Sequence, residues 1–172
     1  MNGLTATAAF QKKYSIELVS PEVLEGAVSE ELGADEIDDA HIDLTKRMLR
    51  FLTDVDGAGL AAPQIGIQKQ FFVFWDRRST PYVVYNPQWY PAEGKKELWV
   101  EKCFNYDEGT YMVERYKYIT GIWWEYDPET QTFEKRIKKF RGVDAQVFQH
   151  EVDLLHGRTA ATTGTLVPYH TN

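Results

Sequence analysis

The sequence predicts an α+β fold in one domain spanning residues 1–172, with antiparallel strands gathered around a central helix that carries His150 and Glu151. Three observations predict it. Runs rich in aromatic and β-branched residues ("QFFVFWD", "YVVYN", "YKYITGIWWEYD") succeed one another through the middle of the chain and read as strands. Residues 37–55 and 143–155 repeat apolar side chains at helical rather than alternating spacing. The strands come in a row and the second helix follows them, an order that suits α+β better than a strand–helix alternation.

The elements follow in order. Ile37, Leu44, Met48, Phe51, Leu52 and Val55 make one face of the first helix, which Asp54, Asp56 and Gly57 terminate. A glycine-bearing loop, "GAGLAAPQIG" (57–66), comes next. Strands are read over 70–76 and 82–86, the second bracketed by Pro81 and Pro87. Residues 98–104 form a short strand running into a turn, and 116–127 a longer one. "DPETQ" (127–131) turns that strand into a hairpin whose other arm is 133–140. In the second helix Val143, Val147, His150 and Leu154 share a face. The tail from Arg158 to Asn172, interrupted by Pro168, reads as loop or a short edge strand.

Composition removes several function classes. The formal charge is −7 and no Lys/Arg run is present, which argues against binding a phosphate backbone. The densest charge run, Glu30 to Asp39, is acidic and reads as a solvated loop and helix start. No apolar stretch has the length of a membrane span, and the first twenty residues lack the basic-then-apolar order of a signal peptide, so a cytoplasmic location is expected. The single cysteine, Cys103, excludes a disulfide within the chain and frees a thiol for metal or chemistry. Aromatic residues make up 14% of the chain, so an aromatic-rich core or groove is expected.

Chemistry concentrates in "QHEVDLLHGR", residues 149–158. In the pattern H-E-x-x-H two histidines four residues apart face one ion, and the glutamate between them faces its bound water. His150 and Glu151 hold the first two places, but the fifth holds Leu154, which has no donor atom. His156 lies about 120° round the helix from His150 and reaches the same ion only if the helix breaks at Leu155; otherwise it is a helix-terminal histidine. Asp153, within about 60° of His150, is the better placed substitute on geometry, against an ordinary role as an arginine's ion-pair partner. Two other stretches add donors: Gln64 in the glycine-bearing loop, and Cys103 in "EKCFN" (101–105), whose alternative is a small buried hydrophobe.

Taken together, "GAGLAAPQIG", "EKCFN" and "QHEVDLL" resemble the peptide deformylase family, in which G-x-G-L-A-A-x-Q-I-G, E-G-C-L-S and Q-H-E-x-D-H-L occur in this order. "YNP" (85–87) and "VERYKYI" (113–119) also fit, and the likeness extends over roughly residues 15 to 160, with bacteriophage-encoded forms the most similar in wording. The resemblance implies removal of the formyl group from N-formylmethionyl nascent peptides, with a possible station at the ribosome and no direct contact with nucleic acid or membrane. It implies one divalent metal, Fe²⁺ first, with Zn²⁺, Ni²⁺ or Co²⁺ able to replace it. By the same resemblance Cys103 and His150 are metal ligands and Glu151 is the general base and later acid. Gln64 and the backbone N–H of Phe104 are donors to the formyl oxygen. The backbone of Ala58 and Gly59 pairs with the extended substrate, and Val143 and Val147 line a pocket for the methionine side chain.

The departures from the family pattern are specific. Leu154 stands for the second histidine, Lys102 for a glycine, and Phe104 and Asn105 for leucine and serine. A two-ligand site leaves Glu151 without a polarised water, whereas the positive charge of Lys102 favours the thiolate form of Cys103. Three readings stay open. One is an active hydrolase whose missing ligand is Asp153, His156, water or a substrate atom. Another is a module that keeps the peptide groove, binds N-terminal peptides or a host partner, and has lost the chemistry. The third is an artefactual or engineered change at Leu154 in an otherwise active enzyme.

Overall fold

The computed structural model describes residues 3–106 and 109–167. Helix α1 (Gly3–Tyr14) leads to a single helical turn, α2 (Pro21–Leu24), and then to the long helix α3 (Asp39–Val55). The Asp38 side chain caps α3 by accepting the His41 N–H at 2.8 Å, and Asp56, in the left-handed region at φ 53°, ends it. Eight strands follow: β1 (Gly59–Ala61), β2 (Phe71–Trp75), β3 (Pro81–Pro91), β4 (Lys96–Glu101), β5 (Tyr111–Tyr116), β6 (Tyr118–Asp127), β7 (Thr132–Arg141) and, after two more helices, β8 (Thr165–Leu166). Those helices are α4 (Val143–Leu155) and the single turn α5 (Ala160–Thr163).

The strands form two antiparallel sheets, of order β1-β2-β3-β6-β7 and β4-β5-β8. Helix α4 touches strands of both, which makes it the central helix that the sequence predicts. The reason lies in β2, "FFVFW", apolar on both faces because both are covered. Phe71 and Val73 pack toward Met48, Phe51 and Leu52 of α3; Phe72 and Phe74 pack toward Phe148 and Val152 of α4. The α4 side is strongly aromatic: Phe148 stands 5.3 Å from both Phe72 and Phe140 and 5.9 Å from Trp123, between ring centroids.

Several elements differ from the sequence reading, each for a physical reason. Pro87 does not close the second strand. Strand β3 runs through it to Pro91 because the register slips between Tyr85 and Gln88, and a bulge requires no ladder N–H from proline. Asn86 takes the left-handed conformation at that bulge, and its amide both donates to Leu32 O and accepts from Leu32 N, each at 2.8 Å. Strand β5 was not predicted as an element, because one of its inward positions is Arg115 rather than an apolar residue. Helix α1 has a weak apolar pattern and is held by Phe10 and Tyr14 against the α3 core. In the tail, β8 is the expected short edge strand, α5 was not expected, and Pro168 to Asn172 lie outside the described residues.

Candidate functional site

Three segments meet beneath the outer edge of β1. The first is the loop from Gly57 to Gly66. Strand β1 is an edge strand, and Ala58 O accepts the Trp75 N–H at 3.0 Å, so the groups of Ala58 face β2. By strand alternation the backbone of Gly59 then faces outward, leaving its groups on the open edge. A Cβ at Gly59 would stand 2.6 Å from Glu151 Oε1, so only glycine lets this strand lie directly over the Glu151 carboxyl. At Gly57 a Cβ would collide with the Phe104 ring. The 3-10 turn Ala62–Ile65 then positions Gln64. Its Oε1 accepts the Ala61 N–H at 2.8 Å, which directs Nε2 to Asn105 Oδ1 at 2.9 Å and Cys103 Sγ at 3.4 Å.

The second segment is the end of β4 and its turn. Cys103 is 9% exposed, while Lys102 projects to solvent. The Asn105 amide donates to Val19 O at 2.8 Å and Gln64 O at 2.9 Å, fixing the cysteine turn against the Gln64 turn. The Phe104 ring packs edge-on against Phe51.

The third is α4. Gln149 Oε1 accepts the Tyr116 N–H at 2.9 Å and its Nε2 donates to Tyr116 O at 2.8 Å, pinning the helix to β5. This presents His150, whose Nδ1 is 2.8 Å from Glu101 Oε1. With Nδ1 held by Glu101, Nε2 is the nitrogen left for another partner. Glu101 is buried and receives Arg115 in a two-pronged contact at 2.9 and 2.8 Å, and Gln146 at 3.2 Å. Arg115 extends to Asp153, which Arg158 meets at 3.1 Å, so a continuous polar chain runs from Arg158 to His150.

The electrostatics follow from burial and pairing. Burial works to raise the Glu101 carboxyl, but Arg115 and His150 outweigh it and hold Glu101 at about 2. Burial pushes Glu151 up to about 7, opposed by His150 and helped by the negative charge of Glu101. Glu151 Oε2 is buried without a hydrogen-bond partner.

The structure thus brings Gln64, Cys103, Phe104, His150 and Glu151 to one place beside Ala58 and Gly59. Val147 packs half-buried against the α4 core, while Val143 stays exposed. Of the two candidate substitutes for a missing ligand, Asp153 is engaged elsewhere and His156 stands at the end of α4. The Asp153 carboxylate is bonded to Arg115 and Arg158, its ordinary ion-pair role, and His156 closes α4 by donating its N–H to Asp153 O. Leu154 is 1% exposed, in the apolar cluster that also contains Leu24, Ala61 and Cys103. Among the described residues no three His, Cys, Asp or Glu side chains come together so as to hold a metal ion. Glu101 and Arg115 carried no assigned role in the sequence reading. The one available signal was a charged pair at inward-facing positions of neighbouring strands.

Two antiparallel sheets around a helix that carries His150 and the buried Glu151, with a thiol and an amide nearby, define an α+β scaffold with a polar site on its central helix. The polypeptide deformylase family model matches residues 15–163, and the chain belongs to the peptide deformylase family. The peptide deformylase of Thermotoga neapolitana is 36% identical over 112 residues, 65% of each chain. That of Pseudothermotoga lettingae is 34% identical over 124 residues, 72% of this chain and 68% of its own. The crystal structure of peptide deformylase from Thermotoga maritima superposes with a TM-score of 0.74 at 28% identity, covering 89% of this chain and 98% of that one. The matched stretch spans just under two thirds of the length of the Thermotoga neapolitana relative. No described helix is long and apolar enough to cross a membrane.

Proposed function

We propose that this chain is a deformylase-type amide hydrolase acting on the formyl group of N-formylmethionyl peptides. The observation that carries the reading is the convergence of Gln64, Cys103, His150 and Glu151, from three separate segments, at one buried point beside an open strand edge. The outward-facing backbone of Gly59 receives the peptide as an added strand, whereas the Ala58 carbonyl, expected to share that role, is taken by β2. Gln64 Nε2 and the Phe104 N–H donate to the formyl oxygen as charge develops on it, each commonly worth ~3–4 kcal/mol. Glu151, with its carboxyl near 7, is tuned to take and return a proton around neutral pH. Val143 and Val147 face the methionine side chain. The substrates are nascent chains in a bacterial cytoplasm, met at or near the ribosome, and the source is a bacteriophage genome.

Family members depend on a metal, and the resemblance implies Fe²⁺, with Zn²⁺ or Ni²⁺ as replacements, between Cys103 and His150. The residues present do not fit a hydrolytic site of that kind. Such sites use three protein ligands and an open position. Here the third place falls to Leu154, an apolar side chain packed in the core, and Asp153 is committed to two arginines. No step of the proposed chemistry therefore runs through a metal.

Incubation with a formyl-methionyl tripeptide, followed by measurement of free formate and free α-amine, tests the reading. Equimolar release of both is expected, and no release at any enzyme concentration refutes it. A second reading, a module that binds formylated N-termini or a host partner without turnover, is favoured by the burial of Leu154. It predicts saturable peptide binding in calorimetry with no formate.

A further inference from the structure

We propose that the open face of the large sheet, formed by β3, β6 and β7 on the side away from α4, binds single-stranded RNA. The choice of RNA rests on the reading above, in which the chain works at or near the ribosome; the fit to a nucleic acid rests on the side chains of the face itself. It departs from the expectation, drawn from the net charge of −7 and the resemblance, of no direct contact with nucleic acid.

The sheet is covered unequally. Helix α4 packs on one side of it, against β2, β3, β6 and β7, while α3 lies on the other, against β1 and β2. Tyr85, in the α3 core, is paired with Trp124, which places Trp124 on the α3 side. By strand pairing, Tyr90 stands there beside Thr120, Trp124 beside Lys135, Thr120 beside Lys139 and Tyr118 beside Arg141. This part of the side is open: Tyr90 is 52% exposed, Ile137 62% and Trp124 36%. A pocket of about 210 Å³ is lined by Tyr90, Trp124 and Lys135, with Gln88 and Glu31 also in its wall.

Two features of this face match a single strand. The first is free positive charge. Residues 135–141 carry five basic side chains, interrupted by Ile137 and Phe140, so no run stands out in the sequence. Alternation along β7 divides them between its two faces. Arg136 goes to the α4 side with the hairpin's acids, Glu125 and Glu134, and pairs with both. Lys135, Lys139 and Arg141 go to the open face and have no carboxylate partner among the described residues. The second feature is the exposed rings of Tyr90 and Trp124 beside that charge, the combination of stacking platform and backbone cations that single-strand binders use. From Tyr118 to Trp124 the strand covers ~20 Å, which suits the short end of footprints of ~4–16 nucleotides. The Gln88 amide, without a hydrogen-bond partner among the described residues, offers a donor and an acceptor to a base edge. Charge that merely guards an edge strand accounts for cations on β7 but not for bare rings on β3 and β6, the strands inside it. A second copy docked here by two-fold symmetry brings the same three cations from both sides, and like charge opposes it.

The test titrates the whole chain into a fluorescently labelled single-stranded RNA of mixed sequence, and reads anisotropy at a series of salt concentrations. Saturable binding is expected, with log K falling against log salt at a slope of about −2, the value for three neutralised phosphates on a single strand. Lys135→Gln, Lys139→Gln and Arg141→Gln should each reduce the magnitude of that slope by ~0.7, and should leave formate release from a formyl-methionyl tripeptide as in the parent. Trp124→Ala and Tyr90→Ala should each weaken binding by roughly 5- to 100-fold at unchanged slope. No binding at low salt overturns the proposal, as does binding that the cation variants weaken and the folded aromatic variants do not. Tighter binding to DNA of the same sequence, to a polyglutamate peptide or to vesicles containing phosphatidylserine assigns the face to another partner and also overturns it. RNA binding and formate release are read separately, so a chain that binds RNA without releasing formate loses the hydrolase reading and keeps this one, and the reverse result does the opposite. The three cations are exposed side chains, so their variants decide the matter even if Trp124→Ala does not fold.

Discussion

Replacing Glu151 with glutamine should stabilise the protein, and should do so only above the pH at which the buried carboxyl ionises. The folded-state carboxyl sits near 7 against an ordinary 4.5, a difference of about 2.5 pH units, or roughly 3 kcal/mol. The sign follows from burial, which favours the neutral acid. Stability is complete below about 4.5, declines as the pH rises from there to about 7, and is lower by roughly 3 kcal/mol beyond it. Glutamine has the same shape and no charge to bury, so the decline disappears. Its amide inherits the place where Glu151 Oε2 has no partner, which offsets ~1 kcal/mol. A net gain of ~2 kcal/mol remains at about pH 8, or roughly 4–8 °C in Tm for a chain of this length. At about pH 5 the gain vanishes or reverses slightly. Thermal melts of parent and variant, both chelator-treated, at the two pH values provide the check. An equal Tm difference at both, or a larger one at low pH, refutes the account of Glu151 as a carboxyl kept at a cost in stability for its chemistry.

Other outcomes follow from the same contacts. Gly59→Ala places a Cβ 2.6 Å from Glu151 Oε1 and should destabilise by ~1–3 kcal/mol. Combining it with Glu151→Ala should recover most of that loss, and a urea-unfolding double-mutant cycle with no coupling would exclude the contact as the cause. Arg115→Met leaves Glu101 and Asp153 buried without their shared partner and should lose ~3–5 kcal/mol at neutral pH. Because the freed Glu101 protonates at a higher pH than in the parent, the deficit should shrink as the pH falls toward 4.5, and a deficit independent of pH would rule this out. Leu154→His puts a donor where the resemblance expects one. It should raise bound metal, counted by elemental mass spectrometry, from little to about one per chain. If metal content does not change, the pocket differs from a metal site by more than this residue.

Some of this was legible in the one-dimensional chain because the signals are local. The two long helices declare themselves through helical spacing, as in Met48, Phe51 and Leu52, and β2 through an unbroken run of aromatic and branched residues. Gln64, Cys103 and the His150–Glu151 pair stand out by residue type and motif spacing. What was not legible depends on partners distant in sequence. Asn86 and Pro87 continue a strand only because a bulge and the backbone of Leu32 accommodate them. Arg115 hides β5 from any apolar pattern because its role is to neutralise Glu101 and Asp153. From the sequence Asp153 is either a metal ligand or an arginine's ion-pair partner, and the fold decides between them by bringing two arginines to its carboxylate.

By itself, then, the sequence determined the fold class, the family motifs and the identities of the reactive groups, since these are properties of residue type and short-range period. Only the tertiary structure decided what those groups face. Burial sets the Glu151 carboxyl near 7, Glu101 holds one nitrogen of His150, and Leu154 fills the place of a third ligand with carbon. Each is a consequence of segments about forty to ninety residues apart meeting in one low-dielectric place, where contacts rather than composition set the charge and direction of every group.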